Sequence, residues 1–189
     1  MMKITKAQSQ ENRARIVQTA SALFRERGYD GVSVADLMAA AGLTHGGFYK
    51  HFGSKAELMA ETAASSISQI IRQADGGDIR QFVDFYTSRE HRDGRGDGCT
   101  FAALAGDATR QSSEIRATFA DGVESILAAV ERGGVLGAGD QQKARAKAID
   151  LFAHLLGAVV LSRACPDDSP LAEEILNVCR AQILASPSS

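Results

Sequence analysis

Between Leu43 and Phe52 the chain reads LTHGGFYKHF, which holds a threonine hydroxyl, two imidazoles, a phenol and an ammonium, with Lys55 close behind. Such a set donates hydrogen bonds and positive charge, the chemistry that meets phosphates and base edges. It is not the chemistry of a catalytic centre. The four histidines are dispersed at 45, 51, 91 and 154, no nucleophile motif is present, and no spacing suits a metal ion. No enzymatic activity, metal or cofactor is therefore expected. Gly46 and Gly47 raise a question, since each costs roughly 1 kcal/mol relative to alanine inside a helix. A surface that must let another molecule approach its backbone closely gives them a reason; a plain loop is the competing reading.

Stepping outward, the elements that hold this run are all helical. Ile16, Ala20, Leu23 and Phe24 fall on one face of a helix from Ser9 to Arg27, ended by Gly28-Tyr29-Asp30-Gly31. Ser33 caps a second helix with Asp36 as its capping-box partner, and Gly42 stops it. Thr44 is placed to cap a third, with Phe48 and Phe52 on one face. Ser54-Lys55-Ala56-Glu57 launches a fourth, running to about Gln73. Further helices are expected around Ile79–Tyr86, from Cys99, and from Ser113 to Arg132. Two more carry Ala148–Val160 and the stretch opened by Ser169-Pro170. The segment EHRDGRGDG, Glu90 to Gly98, reads as a loop, and GGVLGAG, Gly133 to Gly139, as a break. The sum is an all-α chain of about nine helices.

Charge divides the chain in the same place. Residues 1–56 carry eight Lys/Arg against four Asp/Glu, a balance of +4, and the remaining 13 basic and 19 acidic side chains leave −6. A basic end on an acidic body suits a polyanion at that end alone. Three scattered cysteines, Cys99, Cys165 and Cys179, make no disulfide framework and point to a reducing compartment. The polar N-terminus lacks the apolar core of a signal peptide, and the longest apolar run, AHLLGAVVL, is about half a membrane span. A cytoplasmic protein without membrane contact is expected.

Two helices joined through AAAGLT have helix-turn-helix spacing, in which the second helix enters the major groove. Phe48 and Phe52 would face a small core of Ile16, Leu23, Phe24, Leu37 and Met38. Thr44, His45, Gly46, Gly47, Tyr49, Lys50 and His51 would then face outward. Tyr49, His51 and Lys55 would reach phosphates, and Ser33 would offer a hydroxyl and helix-terminal N–H groups to another. The run FRERGYDGVSVADLMAAAGLTHGGFYKHFGSKAEL, residues 24–58, closely resembles the TetR family of bacterial transcriptional regulators. That resemblance implies a three-helix DNA-binding head over residues 1–53 and a helical ligand-binding and dimerisation body over 54–189. It places Thr44, His45, Gly46 and Gly47 at or near bases, and Tyr49, His51 and Lys55 on phosphates. His45 stands where the family often has lysine, and Gly47 where it often has threonine or serine. Both departures bear on which operator is read.

In the body, the wide apolar stripe around Leu151, Leu155 and Val159 needs more cover than one neighbour supplies. With Leu171, Ile175 and Val178 it would form half of an intermolecular four-helix bundle, or else an internal core. Phe82, Phe85, Tyr86, Phe101, Phe119 and Phe152 are candidates to line a cavity, with His154 and His91 to orient a polar group; core packing is the alternative for each. Cys99 opens a helix, with Arg92 and Arg95 just upstream, a setting that favours a thiolate. The string GCTFAALAGDATRQ also resembles an electrophile-responsive subgroup of the family; a small packing residue is the other reading. Together these expectations describe a homodimer that binds palindromic double-stranded DNA, most simply as a repressor, and releases it on meeting a small-molecule or electrophilic inducer. The rival readings are a transcriptional activator on the same scaffold and a helical interaction module that binds no DNA.

Overall fold

The computed structural model describes residues 5–74, 78–132 and 141–185, with only the backbone given for residues 73 and 74. The break expected at Gly133–Gly139 lies outside those residues. Among the described residues there are nine α-helices and one 3₁₀ helix, with no strand. They are α1 (Lys6–Arg27), α2 (Val34–Ala40), the 3₁₀ helix (His45–Lys50), α3 (Lys55–Ala74), α4 (Ile79–Tyr86), α5 (Arg89–Asp93), α6 (Thr100–Ala108), α7 (Ser113–Arg132), α8 (Gln141–Ala164) and α9 (Pro170–Ala185).

Local chemistry explains most of the boundaries. The Ser33 side chain accepts from Asp36 N–H while the Asp36 carboxylate accepts from Ser33 N–H, a complete capping box. Gly42 takes φ +66°, the left-handed conformation that ends a helix. Glu57 N–H donates to Ser54 Oγ at 3.1 Å, and Gly53 N–H to the Glu57 carboxylate at 2.7 Å, starting α3. The additional helix, α5, lies where glycine and charge suggested a loop. Ser88 caps it by accepting from His91 N–H, and its His91 and Arg92 are buried.

The buried side chains form one continuous core with a head part and a body part. In the head, α1, α2 and the 3₁₀ helix enclose Ile16, Phe24, Tyr29, Leu37, Met38, Phe48 and Phe52. In the body, α6 packs among α1, α7 and α8, and α8 pairs with α9 through a short turn. α3 belongs to both, lying against α1 and α7. At its crossing with α7, Gly122 gives the room: a methyl there would come within 2.7 Å of Ile67 Cδ1 and 3.0 Å of Phe101 Cζ.

A polar clamp secures the far end. Arg92, 1% exposed, donates to Ser162 Oγ at 3.0 Å and to the carbonyls of Ser162 and Cys165 at 2.9 and 3.1 Å. It also pairs with Asp93 and Asp167. Arg163 reaches back to the Arg92 and His91 carbonyls at 2.8 and 2.9 Å. The ends of α8 and α5 therefore satisfy each other's backbone acceptors. Among the described residues, no helix is long and apolar enough to cross a membrane.

Candidate nucleic-acid interface

The run LTHGGFYKHF folds around its two phenylalanines. Phe48 and Phe52 are 0% and 2% exposed, stacked at 5.6 Å between ring centroids. With these anchors inward, Thr44, His45, Gly46, Tyr49 and Lys50 are exposed, and Gly47 and His51 half-buried. Tyr49 stands edge-on to Phe48 and is 66% exposed. The backbone is a tight 3₁₀ helix rather than the α-helix expected, and the Thr44 side chain makes no capping bond. Two adjacent glycines weaken α-helix formation, and Gly47 N–H closes instead on Thr44 O at 2.9 Å.

The glycines are not demanded by the fold. Neither has positive φ. A methyl at Gly46 would meet nothing within 4 Å, and one at Gly47 only ordinary contacts at 3.5 Å with Met38 and Thr44. Alanine would fit at both positions.

Two flanking residues are more committed than expected. The Ser33 hydroxyl donates to the Asp36 carboxylate at 2.6 Å, and those bonds to Ser33 hold Asp36 below its usual pKa. A fixed negative charge beside the α2 N-terminus counts against a phosphate on Ser33, and the cap is its evident task. Lys55 donates to the Tyr29 carbonyl at 2.5 Å and lies 5.8 Å above the Phe24 ring, fastening α3 to the α1–α2 turn. Its remaining donors stay available to an anion.

Head and body are joined by side chains that the sequence pattern did not single out. Tyr29 N–H donates to the Asp107 carboxylate of α6 at 3.0 Å. Arg25 donates from Nε to Gly96 O at 2.6 Å and from Nη1 to Ser66 Oγ at 2.9 Å. Partners 78, 71 and 41 residues away leave no local signature.

In the body, Cys99 is 4% exposed and its N–H donates to His91 Nε2 at 3.3 Å. His91 Nδ1 bonds the Tyr86 carbonyl at 2.7 Å, so the ring is the neutral Nδ1–H tautomer. Burial holds its pKa below the ordinary value, against the pull of the Tyr86 bond. The Tyr86 phenol lies against Cys99, and burial with that neighbour pushes its pKa up. Arg92, expected to favour a thiolate here, is turned away onto α8, and Arg95 is exposed.

The other expected body residues divide. Phe101 packs edge-on against both Phe119 and Phe152, at 5.4 and 5.3 Å. Phe82 and His154 are half-buried. Phe85 is 53% exposed, on the outer side of α4, and faces no interior space. Leu155 and Val159, expected between subunits, are 2% and 0% exposed within the single chain and belong to its core. Leu151 is half-buried. The outward apolar face of α8 carries Ile149 and Val160, with Leu161 at its flank, and that of α9 carries Leu171 and Val178 with half-buried Ile175 between. Ile149, Ala153, Leu156 and Val160 recur at helical spacing, and a methyl at Gly157 would meet nothing within 4 Å.

Residues 16–62 match the family of bacterial regulatory proteins of the tetR type. Residues 77–174, just over half of the chain, match the C-terminal domain of LmrA/YxaF-like transcriptional regulators. The chain belongs to the TetR family. The regulator TtgR of Pseudomonas putida is 42% identical over 59 residues, covering 31% of this chain and 28% of TtgR. The chain thus matches less than a third of that relative's length. A second relative, the HTH-type regulator Rv0196 of Mycobacterium tuberculosis, is 26% identical over 172 residues, covering 84% of this chain and 88% of Rv0196. Reduced NemR of Escherichia coli shares the fold, with a TM-score of 0.75 and 19% identity over 95% of this chain and all of that one. These likenesses account for the helix-turn-helix head of this TetR-family chain and for its helical body.

Proposed function

We propose that this protein is a ligand-responsive transcriptional regulator, acting in the cytoplasm as a homodimer that binds palindromic DNA, and a repressor rather than an enzyme. The observation that carries the reading is the outward donor set on the 3₁₀ helix. Thr44, His45, Tyr49 and Lys50 flank two glycines that the fold does not need. A backbone bare of side chains there admits a base edge or sugar-phosphate chain, and Tyr49, His51 and Lys55 surround it with phosphate donors. Residues 1–53 are the reading head and 54–189 the body, with α3 the connector.

The exposed stripes of α8 and α9 support the dimer. Apolar side chains at helical spacing on two adjacent helices suit a four-helix bundle with a second copy, which sets two heads on two half-sites. Cavity-lining roles for Phe82, Tyr86, Phe101, Phe119 and Phe152 rest on two ring clusters, Phe82 with Tyr86 beside Cys99 and Phe101 with Phe119 and Phe152; the Cys99 thiol would take an electrophilic inducer. An inducer acts only by favouring one body conformation over another. Asp107 on Tyr29 and Arg25 on Gly96 would carry that change to the head.

The reading is tested by presenting the protein to randomised duplex DNA and sequencing what it retains. An enriched palindrome, bound less tightly as salt rises and lost in the Tyr49→Ala/Lys50→Ala double variant, is expected. A folded dimer that enriches nothing would overturn it in favour of a protein-interaction module.

A further inference from the structure

Between α1 and α3, closed at one end by Asp97 and Gly98, runs a groove of about 1110 Å³. It lies outside the aromatic cluster around Cys99 and is at the upper end of small-molecule site volumes. Its walls are unlike an apolar pocket: Gln18, Ser21, Ser65, Ser66 and Gln69 present amides and hydroxyls, with Val17 and Ile70 as the apolar strip. Arg13, at the rim, is held by Glu61 through both Nη atoms and so is neutralised.

Arg25 is different. Its two bonds go to neutral acceptors, the Gly96 carbonyl and the Ser66 hydroxyl. It enters none of the ion pairs among the described residues, and its Nη2 donates to none of them. Burial is the largest influence on the guanidinium and lowers its pKa; Asp97 and Glu26 act on it only through space. A half-buried cation with an unused donor edge on a groove is an incomplete pair. We propose that this groove binds a small hydroxylated organic acid, its carboxylate on Arg25 and its hydroxyls on the serine and glutamine side chains. The site spans α1, α3 and the 97–98 loop, so its occupant bridges head, connector and body. That assignment concerns binding alone and does not depend on what the head reads.

The test uses the full-length ¹⁵N-labelled protein, titrated with D-gluconate, L-malate and D-glycerate, with sorbitol as the uncharged control at matched ionic strength. At least one acid is expected to shift the Arg25 Nε–Hε resonance saturably, while sorbitol does not. Arg25→Gln should weaken that binding at least tenfold. Because that variant also loses a tie to Gly96, Ser65→Glu provides the second arm: it places a carboxylate at an exposed helical position on the groove wall and should abolish binding with the helical signal unchanged. Failure of all three acids to bind, equal binding of sorbitol, or undiminished binding in folded Ser65→Glu would each overturn the assignment.

Discussion

The head turns its polar side chains outward over a small aromatic core, whereas the body turns several of its strongest polar groups inward. Thr44, His45, Tyr49 and Lys50 stand in solvent above buried Phe48 and Phe52. At the other end, Arg92 and His91 are buried and engaged with backbone, His91 with nearby Tyr86 and Cys99 and Arg92 with distant Ser162 and Cys165. The head is therefore held together by apolar burial and leaves its donors for another molecule. The body uses its donors to fix its own shape, since each buried donor must find an acceptor inside.

The largest effect that would sharpen this contrast is Phe48→Ala, expected to cost about 4 kcal/mol by removing the ring that α1, α2 and the 3₁₀ helix share. Hydrogen exchange should show the head opening while α7–α9 amides stay protected; equal loss of protection throughout would break the contrast. Arg92→Met comes next, at about 3 kcal/mol in urea unfolding, because the Ser162 and Cys165 carbonyls lose their donor. Asp107→Asn, at about 1 kcal/mol, weakens the joint and the exposed pair with Arg110, and should speed exchange of the Tyr29 amide.

Gly46→Ala should change stability by less than about 1 kcal/mol, in the stabilising direction, while lowering DNA affinity at least tenfold. Retained affinity would mean the bare backbone is not a contact surface. The last effect is read as a slope. His91 has its pKa depressed by burial, so the folded state binds fewer protons than the unfolded one, where the value is about 6.5. Its contribution is complete above that pH and is lost as pH falls from there towards the folded value. Stability between pH 7 and 5 should fall less steeply in His91→Gln than in the parent.

The head was legible because its signals are local. Ser33 with Asp36, Gly42, and Ser54 with Glu57 declare helix ends within four residues, and the Phe48/Phe52 spacing gives the buried face. The 3₁₀ winding escaped because the same residues suit an α-turn until two adjacent glycines are weighed against the short span. In the body, α8 is apolar around much of its circumference, so periodicity does not fix its rotation; Leu155 and Val159 lie inward, Ile149 and Val160 outward. On α9, with a clearer polar face, Leu171 and Val178 stand exposed. The helix α5 was hidden because the partners of Arg92 lie some 70 residues away. The same holds at the joint, where Arg25 and Asp107 depend on partners that only the folded chain brings near.

The reciprocal grip of Arg92 and Arg163 also makes one mechanical block of parts that serve different ends. The end of α8 lies beside the apolar stripes offered to a second copy, and α5 leads in a few residues to Gly96, where Arg25 rests. If a second copy packs on the stripes of α8 and α9, as proposed, a small rotation of one subunit against the other would reach Gly96 through this spine. Assembly would thereby tune the head's posture, and two copies packed slightly differently would be two differently set instruments.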